Sequence, residues 1–450
     1  MNPKTLLATV FLLGPGLSTP LQAETWGLER ATAYALENNP ELQAARAQRD
    51  AAGARTRVAE GARLPELGLS HTVRTTNNPL DAFADKLNTR RTTSADFEPA
   101  RVNHPGTSDI YMTSLALSLP LYTGGKLSAD IASATELEKY TRLQYERRRE
   151  IVAYQVLEAY LGLQAAETGL GLAEDAVKAA RGHAQTTAQL AREGRIVVSD
   201  KLTAEVSLAA IQAQHEQAAT RLARARDRLK LVMGLTLESD VRILPLALDA
   251  GPALARHLAE SEAAALARRK DIEGLRALAQ AAQARTRGAQ AAHKPKVNVI
   301  ASSNWYDKEF DTANNSWSVR GVASLDLYAG GRHTNEVAAS QAEAREYGFR
   351  VRALEQAIRN EVRAAHDALR EASARNAIAR EAATRARDSV RLVKERYGQG
   401  RTILIDLLQA ERALVEARTE ELASGVALRA AETGLKLAEG TLGAVPEQQP

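Results

Sequence analysis

The 450-residue chain contains no cysteine, which excludes disulfides, thiolate metal sites, a cysteine nucleophile and lipidation of an N-terminal Cys. Aromatic residues are scarce at 4%, few for one large globular core. Neither sign of charge predominates, with 59 Lys+Arg against 55 Asp+Glu and a net +4. That balance lacks the strongly basic footprint of a nucleic-acid binder, so no nucleic-acid partner is expected. Beyond the N-terminus no stretch approaches the ~18 uninterrupted apolar residues of a transmembrane helix. With 44% hydrophobic and 25% charged residues, the chain is nonetheless no disordered polymer.

Recognisable catalytic chemistry is missing as well. Eight histidines are scattered without HExxH spacing and read as surface residues, so no metal site is expected. Thr123-Gly124-Gly125-Lys126 faintly resembles a phosphate loop. Pro120 stands where its first glycine belongs, however, and Leu127 where Ser or Thr should follow. No serine occupies a nucleophile-elbow motif. The expectation is a protein with no catalytic residues and no cofactor, not an enzyme.

Residues 1–23 read as a secretory signal peptide. Lys4 supplies the basic start, Leu6 to Leu13 the short apolar run, Gly14-Pro15-Gly16 the break and Leu21-Gln22-Ala23 the cleavage site. The rest is a long internal duplication. Leu121-Tyr122-Thr123-Gly124-Gly125-Lys126 recurs 206 residues later as Leu327-Tyr328-Ala329-Gly330-Gly331-Arg332. Gly194-Arg195 with Asp200 recurs at the same offset as Gly400-Arg401 with Asp406, and Ala204-Glu205 as Ala410-Glu411. Upstream the offset is 230: Ala35-Leu36 matches Ala265-Leu266, Leu42 matches Ile272 and Pro65 matches Pro295. The first copy therefore carries 24 extra residues, which fall in the turn-rich stretch Asn77–Gly106, read as an extracellular loop. The boundaries are 24–235 for the first repeat, 236–252 for a linker, 253–442 for the second repeat and 443–450 for a C-terminal tail.

Each repeat reads helix, strand, strand, long helix, tip, long helix. From Lys126 to about Glu193 there is no proline, and Ala, Leu, Glu, Gln and Arg dominate. Some 65 helical residues make a rod of roughly 100 Å, which implies coiled-coil packing. The four strands alternate. Tyr111, Thr113, Leu115, Leu117, Leu119 and Leu121 share one face, opposed by Ser114, Ala116 and Ser118. Trp317, Val319, Gly321, Ala323, Leu325 and Leu327 repeat the pattern, as do Leu67, Leu69 and Val73, and Val297, Val299 and Trp305. One side is apolar and the other small or polar, the signature of a membrane-spanning β-barrel. Tyr111, Trp305, Tyr306 and Trp317 lie near hairpin ends and suit an aromatic belt at the membrane interface. Four strands cannot close a barrel, and an open edge cannot exist in lipid, so strands must be pooled from several copies. A periplasmic adaptor would show one helical hairpin rather than two equal ones. A soluble coiled-coil scaffold would leave the apolar strand faces uncovered.

Ala35-Leu36 with Asn39-Pro40-Glu41-Leu42, the two Leu-Tyr-x-Gly-Gly motifs, and the stretch from Tyr397 to Ala410 resemble the TolC-like outer-membrane efflux protein family. The resemblance covers nearly the whole mature chain. It implies an α+β membrane protein with a duplicated protomer: a homotrimer whose twelve-stranded β-barrel continues into a periplasmic α-helical coiled-coil tunnel. It further implies a passive exit duct for efflux or type I secretion in the outer membrane of a Gram-negative cell. Its partners would be outer-membrane lipid, a periplasmic adaptor (membrane fusion) protein and an inner-membrane pump of the RND, ABC or MFS class.

The helical tips are where the resemblance places the gate. Acidic residues beyond the second tip ring the aperture in the family. Asp406 matches the first, whereas Gln409 stands at the second, which makes the ring less acidic. Asp406 either lines such a ring or caps its helix. Tyr397 and Asp200 match a tyrosine and an aspartate that hold neighbouring hairpins closed. Core packing for Tyr397 and capping for Asp200 are the alternatives. Arg401 follows its glycine by one residue, where the family's gating arginine usually follows by two. Gly194, Arg195, Gly400 and Arg401 are expected adaptor-docking tips, with plain turn geometry as the other reading of the glycines.

Overall fold

A computed structural model describes residues 24–248, 257–307 and 314–442. The expected signal peptide, the end of the linker and the C-terminal tail lie outside the described residues. In chain order the elements are β1 (Glu24–Trp26), α1 (Leu28–Asn38), α2 (Pro40–Gly61), β2 (Glu66–Thr76), α3 (Pro79–Asn88), α4 (Pro99–Asn103) and β3 (Ser108–Tyr122). There follow α5 (Lys126–Arg192), α6 (Val198–Met233), β4 (Val241–Ile243), α7 (Leu258–Arg268), α8 (Lys270–Gln290), β5 (Lys296–Asp307), β6 (Asn314–Ser324), α9 (Arg332–Gly398) and α10 (Leu404–Ala438). Both α5 and α9 have 67 residues, and their partners α6 and α10 have 36 and 35. No helix among the described residues is long and apolar enough to cross a membrane, which says nothing of a barrel.

Strands β2, β3, β5 and β6 form one antiparallel sheet in that order. Directly opposed residues share a face. Glu66 to Thr76 pair with Ser118 to Ser108, and Lys296 to Tyr306 pair with Ser324 to Asn314. The sequence offsets of 230 and 206 convert the first register into the second at every position. Leu69, Leu115, Val299 and Val319 fall on the apolar face, while Ser70, Ser114, Ser302 and Ser318 fall on the other. Three findings depart from the sequence reading. A register shift between Pro120 and Tyr122 takes Leu121 out of strict alternation. Strand β6 ends at Ser324, short of Leu325 and Leu327. Tyr306 opposes Met112 and so lies on the polar face, apart from Tyr111, Trp305 and Trp317.

The extra residues of the first repeat are a folded cap rather than a simple loop. Asn78 caps α3 through its side chain, Pro79 starts that helix, and Phe83 meets Phe97 edge-on at 5.4 Å. Asp85 and Asp96 are buried and paired with Arg74 and Lys86, and Arg91 reaches Asp307 at 2.9 Å. Helices and ion pairs at this density are local chemistry that turn-rich composition conceals.

The described residues fold into two compact units, each drawing on both repeats: 24–39, 152–248 and 371–430 in one, and the remaining described residues in the other. In the first unit Trp26, Val152, Val156, Tyr160, Leu163, Leu229, Met233 and Val241 form the core. Here β1 pairs in parallel with β4, two three-residue strands that the sequence reading missed because so short a run has no period. The linker is stapled to α5. The Tyr160 hydroxyl bonds Leu244 O at 2.5 Å, and Gln164 exchanges two bonds with the Leu246 backbone at 2.8 and 2.9 Å. In the second unit Ile272, Ile358 and Val362 pack with Ala265 and Ala438. Buried Arg269 is held there by Asp271 and Glu361.

Duplication reaches the packing of single glycines. Gly234 (φ 78) closes α6 against Asn38, and its equivalent Gly440 (φ 66) packs on Arg269. A Cβ at Gly234 would lie 2.4 Å from Asn38 O, whereas one at Gly194 (φ 69) meets nothing within 4 Å. Gly194→Ala is therefore expected to cost only the left-handed backbone penalty, about 1–2 kcal/mol. Gly234→Ala adds a backbone clash and should depress the thermal midpoint clearly further. Equal shifts in a melting comparison would show that the contact with Asn38 relaxes freely.

Candidate functional site at the helical tips

Both tips use one local device. Gly194 and Gly400 adopt φ of 69° and 68°, the left-handed C-terminal cap that glycine reaches without a Cβ penalty. Arg195 N–H then donates to Leu190 O at 2.9 Å, and Arg401 N–H to Arg396 O at 2.8 Å, closing each first helix. The positive φ of both glycines thus serves the turn, and their neighbours remain outward. Arg195 and Arg401 are exposed, as are Val197, Val198 and Ile403 at 63%, 64% and 63%.

Asp200 and Asp406 are each the third residue of the helix that leaves the tip. A carboxylate there is favoured by the N-terminal end of the helix dipole. Asp406 accepts a hydrogen bond from the Thr402 hydroxyl, and it is exposed together with Gln409. The two are three residues apart on a helix and so lie side by side. Ile196 replaces Thr402 in the first tip, so Asp200 lacks that bond.

Tyr397 ends α9 and Asp200 begins α6, so these residues come from different hairpins of one chain. Both are half-buried. Burial raises the Tyr397 phenol above its ordinary 10.0, and the negative charge of Asp200 raises it further. The phenol is thereby kept protonated, ready to donate to a carboxylate. Among the described residues of the single chain no hydrogen bond joins the two.

A second link between hairpins was not legible. His183 on α5 meets Glu411 on α10, its Nε2 lying 2.9 and 3.0 Å from the two carboxylate oxygens. Both side chains are mostly covered, at 19% and 23% exposed, so His183 is no surface histidine. In the first repeat Glu205 stands in place of Glu411 and pairs with Lys201 on its own helix. Nothing in the motif spacing distinguishes the two glutamates. Only the folded hairpins bring His183 to the second.

The Outer membrane efflux protein family matches residues 33–235 and 263–441, one segment in each repeat. The chain belongs to that family. An outer membrane efflux protein is an exit duct of the outer membrane, and the family is one of channels rather than enzymes. The alkaline protease secretion protein AprF of Pseudomonas aeruginosa is 25% identical over 400 residues, covering 86% of this chain and 78% of AprF. The outer membrane efflux protein BepC of Brucella suis is 26% identical over 192 residues, 42% of this chain and only 38% of BepC. The CmeC outer membrane channel of Campylobacter jejuni shares the fold with a TM-score of 0.78 at 17% identity, over 94% of this chain and 87% of that one.

Removal of the His183–Glu411 contact should loosen one hairpin against the other in this efflux protein. A half-covered, charge-assisted bond contributes about 1 kcal/mol, or about fivefold in a local opening equilibrium. Glu411→Gln is expected to raise amide exchange in the tips by about that factor while leaving the sheet unchanged. Unaltered tip exchange would show that the pair carries no coupling.

Proposed function

We propose that three copies pool their strands into a twelve-stranded barrel, and that the helical hairpins continue its lumen into a periplasmic tunnel closed at the tips. The observation that carries this reading is the sheet itself. It has one apolar face, one polar face and two outer edges, β2 and β6, with no partner strand among the described residues. An unpaired edge is forbidden in hydrocarbon, and closure by further copies removes it.

In this reading transport is passive, with energy supplied by an inner-membrane pump of the RND, ABC or MFS class through a periplasmic adaptor. The adaptor would dock on Gly194, Arg195, Gly400 and Arg401, where neighbouring Val197, Val198 and Ile403 offer exposed apolar surface. Three Asp406 carboxylates, with Gln409 beside each, would ring the closed aperture and attract divalent cations. Tyr397 donating to Asp200 would hold the hairpins together until docking draws them apart. The aromatic belt at the membrane interface would consist of Tyr111, Trp305 and Trp317.

The test is planar-bilayer conductance of the detergent-purified protein with its mass measured alongside. Discrete channels from a trimer are expected, whereas a monomer soluble without detergent would overturn the duct. Asp406→Ala should raise single-channel conductance and weaken divalent-cation block by about tenfold or more. Unchanged block would remove Asp406 from the constriction. Tyr397→Phe should increase the open fraction, because it deletes the donor while retaining the ring. No change in opening would make Tyr397 a packing residue.

A further inference from the structure

The identity of the two hairpin registers can be carried one step further. Within the chain one seam joins the repeats, where β3 of the first pairs with β5 of the second. Applying the same offsets to this seam gives a pairing of β6 with β2. Those strands stand at opposite edges of the sheet, so they can meet only between copies. Ser114 opposite Asn304 becomes Arg320 opposite Arg74, and Ala116 opposite Ser302 becomes Val322 opposite Thr72.

The packing beside the seam supports this operation. A Cβ at Gly124 would lie 2.7 Å from Ala291 O and 2.8 Å from Lys294 Cβ, so the first Gly-Gly turn is seated against the end of α8. The equivalent Gly330 and Gly61 each meet nothing within 4 Å, and Leu64, Leu327 and Tyr328 are 65%, 90% and 88% exposed. These are the two halves of the same contact, left bare at the outer edges.

Two arginines directly opposed on one face repel. Arg74, however, already lies between two carboxylates of the cap, 3.3 Å from Asp81 and in contact with Asp85. One guanidinium serves both, and Asp81 remains 44% exposed. Arg320 is exposed and has no ion pair among the described residues. A second cation on this face would balance the two aspartates. At the seam inside the chain the same positions are the neutral Ser114 and Asn304, and the second repeat lacks the 24 extra residues.

The pooled barrel requires β6 of one copy to meet β2 of the next, and in this register we propose a charged lock at each seam. Arg320 of one copy completes a four-charge cluster with Arg74, Asp81 and Asp85 of the next. The proposal rests on the pooled-barrel reading and gives the cap a task, that of locking each seam.

The cysteine-free chain allows a direct test. Thr72→Cys with Val322→Cys should cross-link copies into covalent dimers and trimers upon oxidation. Ser70→Cys or Arg74→Cys in place of Thr72→Cys represents a register slipped by two residues and should cross-link at least ~fivefold less. Stronger cross-linking by a slipped pair overturns the register. Absence of cross-links in a protein that still has trimeric mass overturns the β6–β2 seam but leaves the duct, whereas a monomer overturns both. For the cluster, Arg320→Glu should raise the fraction of trimer dissociated on mild heating in detergent by about threefold or more. Arg320→Gln should fall between it and the parent, and adding Asp81→Arg to Arg320→Glu should restore the trimer. Unchanged dissociation of Arg320→Glu, or failure of the swap to restore it, overturns the lock.

Discussion

A strand edge presents a row of N–H and C=O groups, and hydrocarbon offers them no partner. The four-stranded sheet satisfies β3 and β5 on both sides and, among the described residues, leaves one edge of β2 and one of β6 unused. The proposed barrel meets that constraint with further copies. Duplication provides two hairpins of matching register, and in the proposed barrel the pairing that joins them within a chain would also join one chain to the next. In such a barrel the alternation would turn one face to lipid and the other to water.

The helical part solves a different problem with the same economy of parts. Long proline-free segments rich in alanine saturate their own backbone bonds, so a tunnel wall can be built from them without a thick core. Each must end sharply to turn back, and a left-handed glycine ends it. At Gly194 and Gly400 nothing in the chain packs where a Cβ would stand, while at Gly234 and Gly440 the missing Cβ admits close packing. The tips therefore combine a rigid turn with exposed side chains. His183–Glu411 joins the two hairpins, and the charge of Asp200 is felt at the Tyr397 phenol.

Charge is placed sparingly but with consequence. The chain is nearly neutral overall, yet the cap gathers Asp81, Asp85 and Asp96 against Arg74 and Lys86, with Arg91 held by Asp307 on β5. Such pairs contribute little individually at an exposed surface. Here several are partly buried and span separate elements, so they set the cap's position on the sheet.

The sequence by itself determined the repeat, its two offsets, the long helices, the alternation of the strands and both glycine tips. These rest on periodicity and on residues with narrow conformational preferences, which act locally. It also made Asp406, Tyr397 and Asp200 legible as candidates, since their order around the tips survives in the motif. Only the tertiary structure decided that Tyr306 lies on the polar face, that residues 77–106 fold into a cap, that β1 and β4 pair across the first unit, and that His183 meets Glu411. Each of these depends on a partner distant in the chain or on a register one residue finer than the pattern. A run of three residues has no period to read, and a contact between residues 228 positions apart leaves no trace in local spacing.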